Sequence, residues 1–244
     1  MKILCFVQND DGAVNPVSKE AIALSQELKT KLNGELDILT FSQEISTELN
    51  NYESNNLLIG NNSELANYNP LFYTSAVEHI LNTNDYDLII LGHTYQARDW
   101  VPRLSARKDI PFISDCIDYT IEDNSIEWIR SLYRAKINSQ LKSKSKQTII
   151  SIQSGCFKAD DTVSGQTEIK NIELDLSNVN KTIVPGEKFK ESGSQIDLTS
   201  SDVIISIGRG IGKEENIPIA KELAELTGGL LASSRPVVDS GWLD

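Results

Sequence analysis

Cysteine is scarce in this 244-residue sequence, and its three copies, Cys5, Cys116 and Cys156, are far apart. They form no C-x-x-C pair or other ligand spacing, which argues against a disulfide framework and against a zinc site. Only two histidines occur, and neither has a second histidine or cysteine at a spacing that would complete a metal site. We therefore expect no bound metal and a reducing compartment.

Long apolar runs and an excess of positive charge are also missing. No stretch approaches the roughly 20 apolar residues that span a bilayer, and residues 1–8 lack the pattern of a signal peptide. The 23 basic side chains are outnumbered by 35 acidic ones, and the net charge of −12 argues against nucleic acid as a general partner. We expect a cytoplasmic protein with no transmembrane segment.

Strand and helix patterns alternate regularly in the first half of the chain. Short apolar runs predict four strands, at residues 2–7, 35–41, 55–60 and 87–91. Helical spacing of apolar residues predicts three helices, at residues 16–32, 70–82 and 95–108. This alternation predicts parallel β-α-β units, with helices on both faces of one sheet.

From residue 110 the pattern changes. Four further strand-like segments predict an antiparallel addition to the sheet, at residues 113–123, 126–133, 136–142 and 147–153. Residues 156–195 are polar and weakly patterned. We divide the chain into an N-terminal α/β domain (residues 1–185), a linker (186–195) and a second domain (196–244).

The second domain begins with a strand and a glycine-rich turn. The predicted strand 203–207 leads into Gly208-Arg209-Gly210-Ile211-Gly212. A predicted helix follows, with three large apolar residues on one face: Ile219, Leu223 and Leu226. Glycines between a buried strand and a helix let a phosphate approach the backbone, and Arg209 would suit an anion. Because the G-x-G-x-G spacing differs from the dinucleotide motif, nucleotide binding and a plain tight turn both stay open.

Ser234 and Arg235 follow the next predicted strand, residues 229–233. The carboxyl ends of parallel strands lie at one edge of a sheet, so we expect these residues near the glycine turn, where open α/β sheets bind ligands. An exposed loop arginine explains the spacing equally well, but the convergence of two arginines favours a binding site. His93 also follows a strand, yet no catalytic partner accompanies it, and we assign no catalytic residue.

Residues 204–242, IISIGRGIGKEENIPIAKELAELTGGLLASSRPVVDSGW, closely resemble the α subunit of electron-transfer flavoproteins. The shared features are a strand with a G-R-G turn, an E-N pair that opens a helix, and an (A/S)-S-R-x-x-V-D-x-G-(W/F) segment. Residues 87–116 and 128–142 resemble the same family more loosely. Residues 42–69 and 156–195 match it poorly.

The resemblance implies an adenine-nucleotide-hydrolase-like (Rossmann-like) parallel-sheet domain with an antiparallel addition, which packs on a β subunit. The first β-α-β part of a doubly wound FAD-binding domain would follow. It implies a heterodimeric electron carrier, rather than a catalyst with its own substrate, that relays electrons from dehydrogenases to an acceptor through FAD. Matched position by position, Arg209, Ser234 and Arg235 would contact FAD, with Arg235 beside the flavin ring. Gly208 and Gly210 would let the turn approach the cofactor closely.

The sequence departs from the family pattern in two places. Gln153 stands where arginine is expected in many members, and family members continue beyond the G-W motif with Q-x-G-x-T-G-K and G-I-S-G-A segments. We therefore expect a C-terminally truncated or incompletely seen chain in which FAD is absent or weakly bound. Two other functions stay open: an FAD-free interaction module, and an ATP-using enzyme on the same first-domain fold. The second is less favoured, because the S-G-G-x-D-S phosphate loop is absent from residues 8–15.

Overall fold

The computed structural model describes residues 1–122, 125–186, 198 and 201–243. The chain divides into two compact units, Met1–Gly186 and Glu187–Asp244, and each is described by itself. The predicted linker, residues 186–195, lies outside the described residues apart from Gly186.

The first unit alternates strands and helices along most of its length. Its strands are β1 (Lys2–Phe6), β2 (Asn9–Asp10), β3 (Ala13–Val14), β4 (Glu35–Thr40), β5 (Asn56–Asn61), β6 (Leu88–Gly92), β7 (Phe112–Glu122), β8 (Ser125–Leu132), β9 (Ile137–Leu141), β10 (Thr148–Ile152) and β11 (Glu168–Glu173). Its α-helices are α1 (Pro16–Lys31), α2 (Ser46–Leu49), α3 (Pro70–Thr83) and α4 (Tyr95–Lys108).

A nine-stranded sheet with the order β11-β5-β4-β1-β6-β10-β7-β8-β9 forms the centre of this unit. Neighbouring strands are parallel from β11 to β7, whereas β8 and β9 continue the sheet as antiparallel strands. The short strands β2 and β3 form a separate hairpin after β1. The predicted fold class, a parallel α/β sheet with an antiparallel addition, is confirmed.

Two segments differ from the sequence-based assignment. Residues 147–153 were expected in the antiparallel addition, and this is wrong, because β10 lies parallel between β6 and β7. All five residues of β10 are buried, as is typical of a parallel strand covered on both faces. The strand β11 falls in the segment without a predicted strand. It pairs with β5 at the sheet edge with its side chains mostly exposed, so it carries no hydrophobic pattern.

Helices cover both faces of the sheet, and each face has its own apolar core. The core under α1 includes Cys5 and Leu28, and the core under α3 and α4 includes Phe6 and Trp100. Successive residues of β1 thus point to opposite faces, as the period of a strand requires. The side chains of the three N-cap residues, Asn15, Asn69 and Thr94, each accept a 3.0 Å hydrogen bond from a first-turn amide of α1, α3 and α4. Each such cap contributes about 1 kcal/mol to stability.

The described residues of the second unit form one β-α-β element. β12 (Ile204–Ile207) pairs in parallel with β13 (Leu230–Ser233), α5 (Ile217–Thr227) connects them, and the short helix α6 (Arg235–Val238) follows. A small cluster of buried side chains holds these elements together: Ile207, Ile217, Ala220 and Val237. Gly228 ends α5 in the left-handed conformation, with φ of +66°.

The helix α5 turns three large apolar residues away from that cluster. Ile219, Leu223 and Leu226 share one face as predicted, but they are 69%, 48% and 79% exposed. The buried face carries one large apolar residue, Ile217, and two alanines, Ala220 and Ala224. Because both faces are apolar, the spacing of hydrophobic residues alone does not identify the one that packs on the strands.

Candidate functional site

Two loops meet at the carboxyl ends of β12 and β13. The amide of Ser234 donates a hydrogen bond to the carbonyl of Ile207 at 2.9 Å. Gly208 continues β12 in an extended conformation, and a Cβ placed on it would lie 3.7 Å from the hydroxyl oxygen of Ser234. The structure therefore brings together two of the predicted cofactor-binding residues, Gly208 and Ser234.

The glycine turn leaves open space beside its backbone. Gly212 has a φ of +82°, a conformation that favours glycine. Gly208 and Gly210 do not have positive φ. A Cβ on Gly210 would meet no atom within 4 Å, and one on Gly208 would make only ordinary contact. Neither the backbone conformation nor the packing of the chain requires glycine at these two positions, so their open space fits a ligand that approaches the main chain closely.

Two exposed arginines follow the two strands. Arg209 lies in a short 3-10 turn directly after Gly208, and none of the described residues forms an ion pair with it. Arg235 is the first residue of α6, and its Nε lies 3.7 Å from Asp239 Oδ2. The Arg235 side chain is 91% exposed, and exposed pairs of this kind add little stability. Both side chains are therefore exposed at the ends of their strands.

Two residues that are not among the predicted cofactor-binding residues support these loops. Asn216 Nδ2 donates to the carbonyl of Ile211 at 2.8 Å, which ties the glycine turn to the start of α5. Asp239 pairs with Arg235 across one helical turn, and this i,i+4 spacing is the signal that could have predicted the pair. Asn216 is the asparagine of the E-N pair that opens the helix, but that pattern does not identify its partner, because the partner is a main-chain carbonyl.

His93 lies in the first unit, at the carboxyl end of β6. Its Nδ1 is 2.8 Å from Ser151 Oγ, and burial lowers the pKa of the imidazole below its ordinary value. Gln153 follows β10 and is exposed, and its amide donates to the carbonyl of Cys116 at 2.9 Å. Nothing in the structure explains glutamine rather than arginine at that position.

No group of three or more histidine, cysteine, aspartate and glutamate side chains in the described part of the chain is placed to hold a metal ion. None of the helices in that part has the length and apolar character needed to cross a membrane. The loops after β12 and β13 are therefore the site that the predicted residues define.

The fold and these loops define an α/β protein with a parallel sheet in one unit and an open glycine turn with two exposed arginines in the other. The family model described as "Electron transfer flavoprotein domain" matches residues 3–177. The model described as "Electron transfer flavoprotein FAD-binding domain" matches residues 197–244. The chain belongs to the electron transfer flavoprotein family.

Relatives in three organisms cover nearly the whole chain. Protein FixB of Clostridium saccharobutylicum is 24% identical over 98% of this chain and 73% of its own length. Electron transfer flavoprotein subunit alpha of Bacillus subtilis (strain 168) is 25% identical over 100% of this chain and 75% of its own. Lactate dehydrogenase (NAD(+),ferredoxin) subunit LctC of Acetobacterium woodii is 25% identical over 99% of this chain and 59% of its own. The predicted family and its function in electron transfer are confirmed, and FAD is associated with the second matched domain.

Proposed function

We propose that this chain is the α subunit of a cytoplasmic heterodimer that relays electrons from dehydrogenases to an acceptor. The first domain, residues 1–185, would pack on a β subunit, residues 186–195 would serve as the linker, and the domain from residue 196 would hold FAD. The chain would carry electrons without acting on a substrate of its own. The observation that supports this function best is the open space at Gly208 and Gly210 beside two exposed arginines.

The proposed site assigns a distinct role to each residue. Gly208 and Gly210 let the cofactor approach the main chain closely, because the space beside them is open apart from the ordinary contact of Gly208 with Ser234. Arg209 and Ser234 supply a charged donor and a hydroxyl for its polar groups. Bound FAD supplies the redox chemistry, and Arg235 holds a positive charge beside the flavin ring. That charge stabilises the reduced, anionic flavin and raises its reduction potential.

We further propose that FAD binds weakly to this 244-residue form. The described residues of the second unit form a two-stranded sheet and a small buried cluster. Three large apolar residues of α5, Ile219, Leu223 and Leu226, stay exposed. A β-α-β element of this size has little buried surface with which to hold two loops rigid. The loops therefore lose conformational freedom when the cofactor binds, and this cost lowers the affinity.

The test is an FAD titration, followed by flavin absorbance, of the chain alone and of the chain with its β subunit. We expect binding in the presence of the β subunit, and Arg235→Ala should weaken it by about tenfold, since a hydrogen bond to a charged group is lost. The same variant should lower the reduction potential of bound FAD. Lys221→Ala is the matched control, because Lys221 is an exposed cation on α5, outside both loops.

Three results would count against these proposals. A chain that binds no FAD beside its β subunit would overturn the electron-carrier function. An unchanged affinity and potential in Arg235→Ala would overturn the assignment of Arg235. Micromolar or tighter binding by the chain alone would contradict the weak-binding proposal and leave the rest intact.

A further inference from the structure

The strand order of the first unit reverses between β1 and β6. From β1 the chain passes through α1 to β4 on one side, whereas β6, β10 and β7 lie on the other. In open α/β sheets, the crevice outside the carboxyl ends of the strands at such a reversal is where ligands bind. The structure has a cleft of about 580 Å³ at this place, within the size range of small-molecule sites. This cleft lies in the first unit and shares no residue with the proposed FAD site.

One wall of the cleft is rich in hydrogen-bond donors. Arg98, in the first turns of α4, lines it, and its guanidinium lies 5.6 Å from the ring centre of Tyr95. The Arg98 side chain is exposed. The amide of Ala97 donates a 3.0 Å hydrogen bond to Thr94 Oγ1, the N-cap of α4. The amides of Tyr95 and Gln96, the first two residues of this 14-residue helix, have no acceptor within the helix.

His93 adds an uncharged donor to the same wall. Ser151 is completely buried, and its hydroxyl oxygen accepts the amide of Asp115 at 3.1 Å. A buried hydroxyl hydrogen needs an acceptor of its own, and Nδ1 of His93, 2.8 Å away, is the one in reach. With Nδ1 accepting, the proton of the neutral imidazole is on Nε2. His93 lines the cleft and therefore offers it an N–H group.

The facing loop, after β1, supplies an oriented acceptor. Asp10 lines the cleft. Its two carboxylate oxygens accept hydrogen bonds from Gln8 Nε2 at 2.7 Å and from Asn15 Nδ2 at 2.5 Å. Thr94 Oγ1 donates to Gln8 Oε1 at 2.6 Å, which joins the two walls. Two amide donors thus hold the Asp10 carboxylate in one orientation, from which it can accept a hydroxyl group.

We propose that this cleft binds a small phosphate monoester that carries hydroxyl groups, such as a sugar phosphate. The phosphate would lie against Arg98, the free amides of α4 and the N–H of His93, where several donors converge on one anion. A hydroxyl of the same ligand would donate to Asp10. An anion without hydroxyl groups would gain only the first set of contacts, and a neutral sugar only the second.

Calorimetric titrations of the 244-residue chain with ribose 5-phosphate, inorganic phosphate and ribose test this proposal. We expect ribose 5-phosphate to bind about tenfold more tightly than inorganic phosphate, and ribose not to bind. Arg98→Ala should weaken the binding of both phosphates by at least about tenfold, and Arg98→Lys should restore part of it. Arg103→Ala is the matched control, because Arg103 lies on the same helix and pairs with Asp99. It should leave binding unchanged.

Asp10→Asn separates the two halves of the site. It should weaken the binding of ribose 5-phosphate but not that of inorganic phosphate, because loss of the Asp10 negative charge does not disfavour an anion, with the circular dichroism spectrum as the check on folding. The proposal is overturned if none of the three compounds binds. It is also overturned if Arg98→Ala and Arg103→Ala have equal effects, or if Asp10→Asn weakens both phosphates equally.

Discussion

His93 is half-buried at the end of β6, and burial lowers the pKa of its imidazole from the ordinary 6.5. The Asp115 carboxylate opposes this shift, and the guanidinium groups of Arg98 and Arg130 add to it. Since the unfolded chain then binds the proton more readily than the folded one, the contribution of His93 to stability is complete above about pH 6.5. It is lost as the pH falls.

Replacement of this histidine should therefore reduce the sensitivity of the protein to acid. We expect His93→Gln to lose less free energy of unfolding than the wild type between about pH 7 and pH 5, as measured by urea denaturation at each pH. Glutamine keeps a polar group near Ser151 but does not titrate. His79→Gln is the control, since His79 is the other histidine and is exposed on α3. Equal pH dependence in the two variants would contradict the prediction.

At the level of single residues, the sequence could predict which residues belong to the candidate site, but not their backbone conformation. The resemblance points to Gly208, Ser234 and Arg235, and the structure places Gly208 beside Ser234. The sequence could not show that, of the three glycines in the turn, Gly212 alone has a positive φ. That distinction depends on backbone angles, and it is what separates a glycine required by the turn from one that leaves room for a ligand.

Among the elements, α5 gives a direct test of which helix face packs. Ala224 is 3% exposed and Leu226 is 79% exposed. We expect Ala224→Gln to destabilise the second unit by about 1–3 kcal/mol, because a larger polar side chain must enter the contact with the strands. Leu226→Gln should change its stability by less than about 0.5 kcal/mol.

Hydrogen exchange of the β12 amides, Ile204–Ile207, measures this difference locally. A faster exchange in Ala224→Gln than in the wild type, with no change in Leu226→Gln, is the expected result. If Leu226→Gln accelerates exchange as strongly as Ala224→Gln, the exposed face of α5 is packed in solution and the assignment of the two faces is wrong.

The sequence pattern could predict the helices of the first unit but not the positions of two of its strands. The helices α1, α3 and α4 could be predicted because capping residues precede them and apolar residues recur at helical spacing. The position of β10 could not, since an apolar run predicts a buried strand but does not name its neighbours. The edge strand β11 could not be predicted at all, because its stability comes from main-chain pairing with β5 rather than from buried side chains.

At the scale of the whole molecule, the two sites differ in how far the sequence reveals them. The two loops of the second unit lie within one segment of 28 residues, from Gly208 to Arg235, and this segment resembles the family without interruption. The cleft of the first unit is assembled from residues 8–17, 93–98 and Ser154, which the strand order brings together. No local pattern marks such a site, so only the topology of the sheet could have predicted it.

The same topology predicts that the first unit folds without the second. All nine strands of the large sheet and both of its apolar cores lie within residues 1–186. A polypeptide of residues 1–186 should therefore show a single cooperative urea transition by circular dichroism and by tryptophan fluorescence. Trp100 and Trp128 are buried in those cores and report on them. Residues 187–244 alone should show no cooperative transition, since their described core is one small cluster. Non-coincident transitions in the larger fragment, or binding of a hydrophobic dye to it under native conditions, would mean that its fold depends on the second unit.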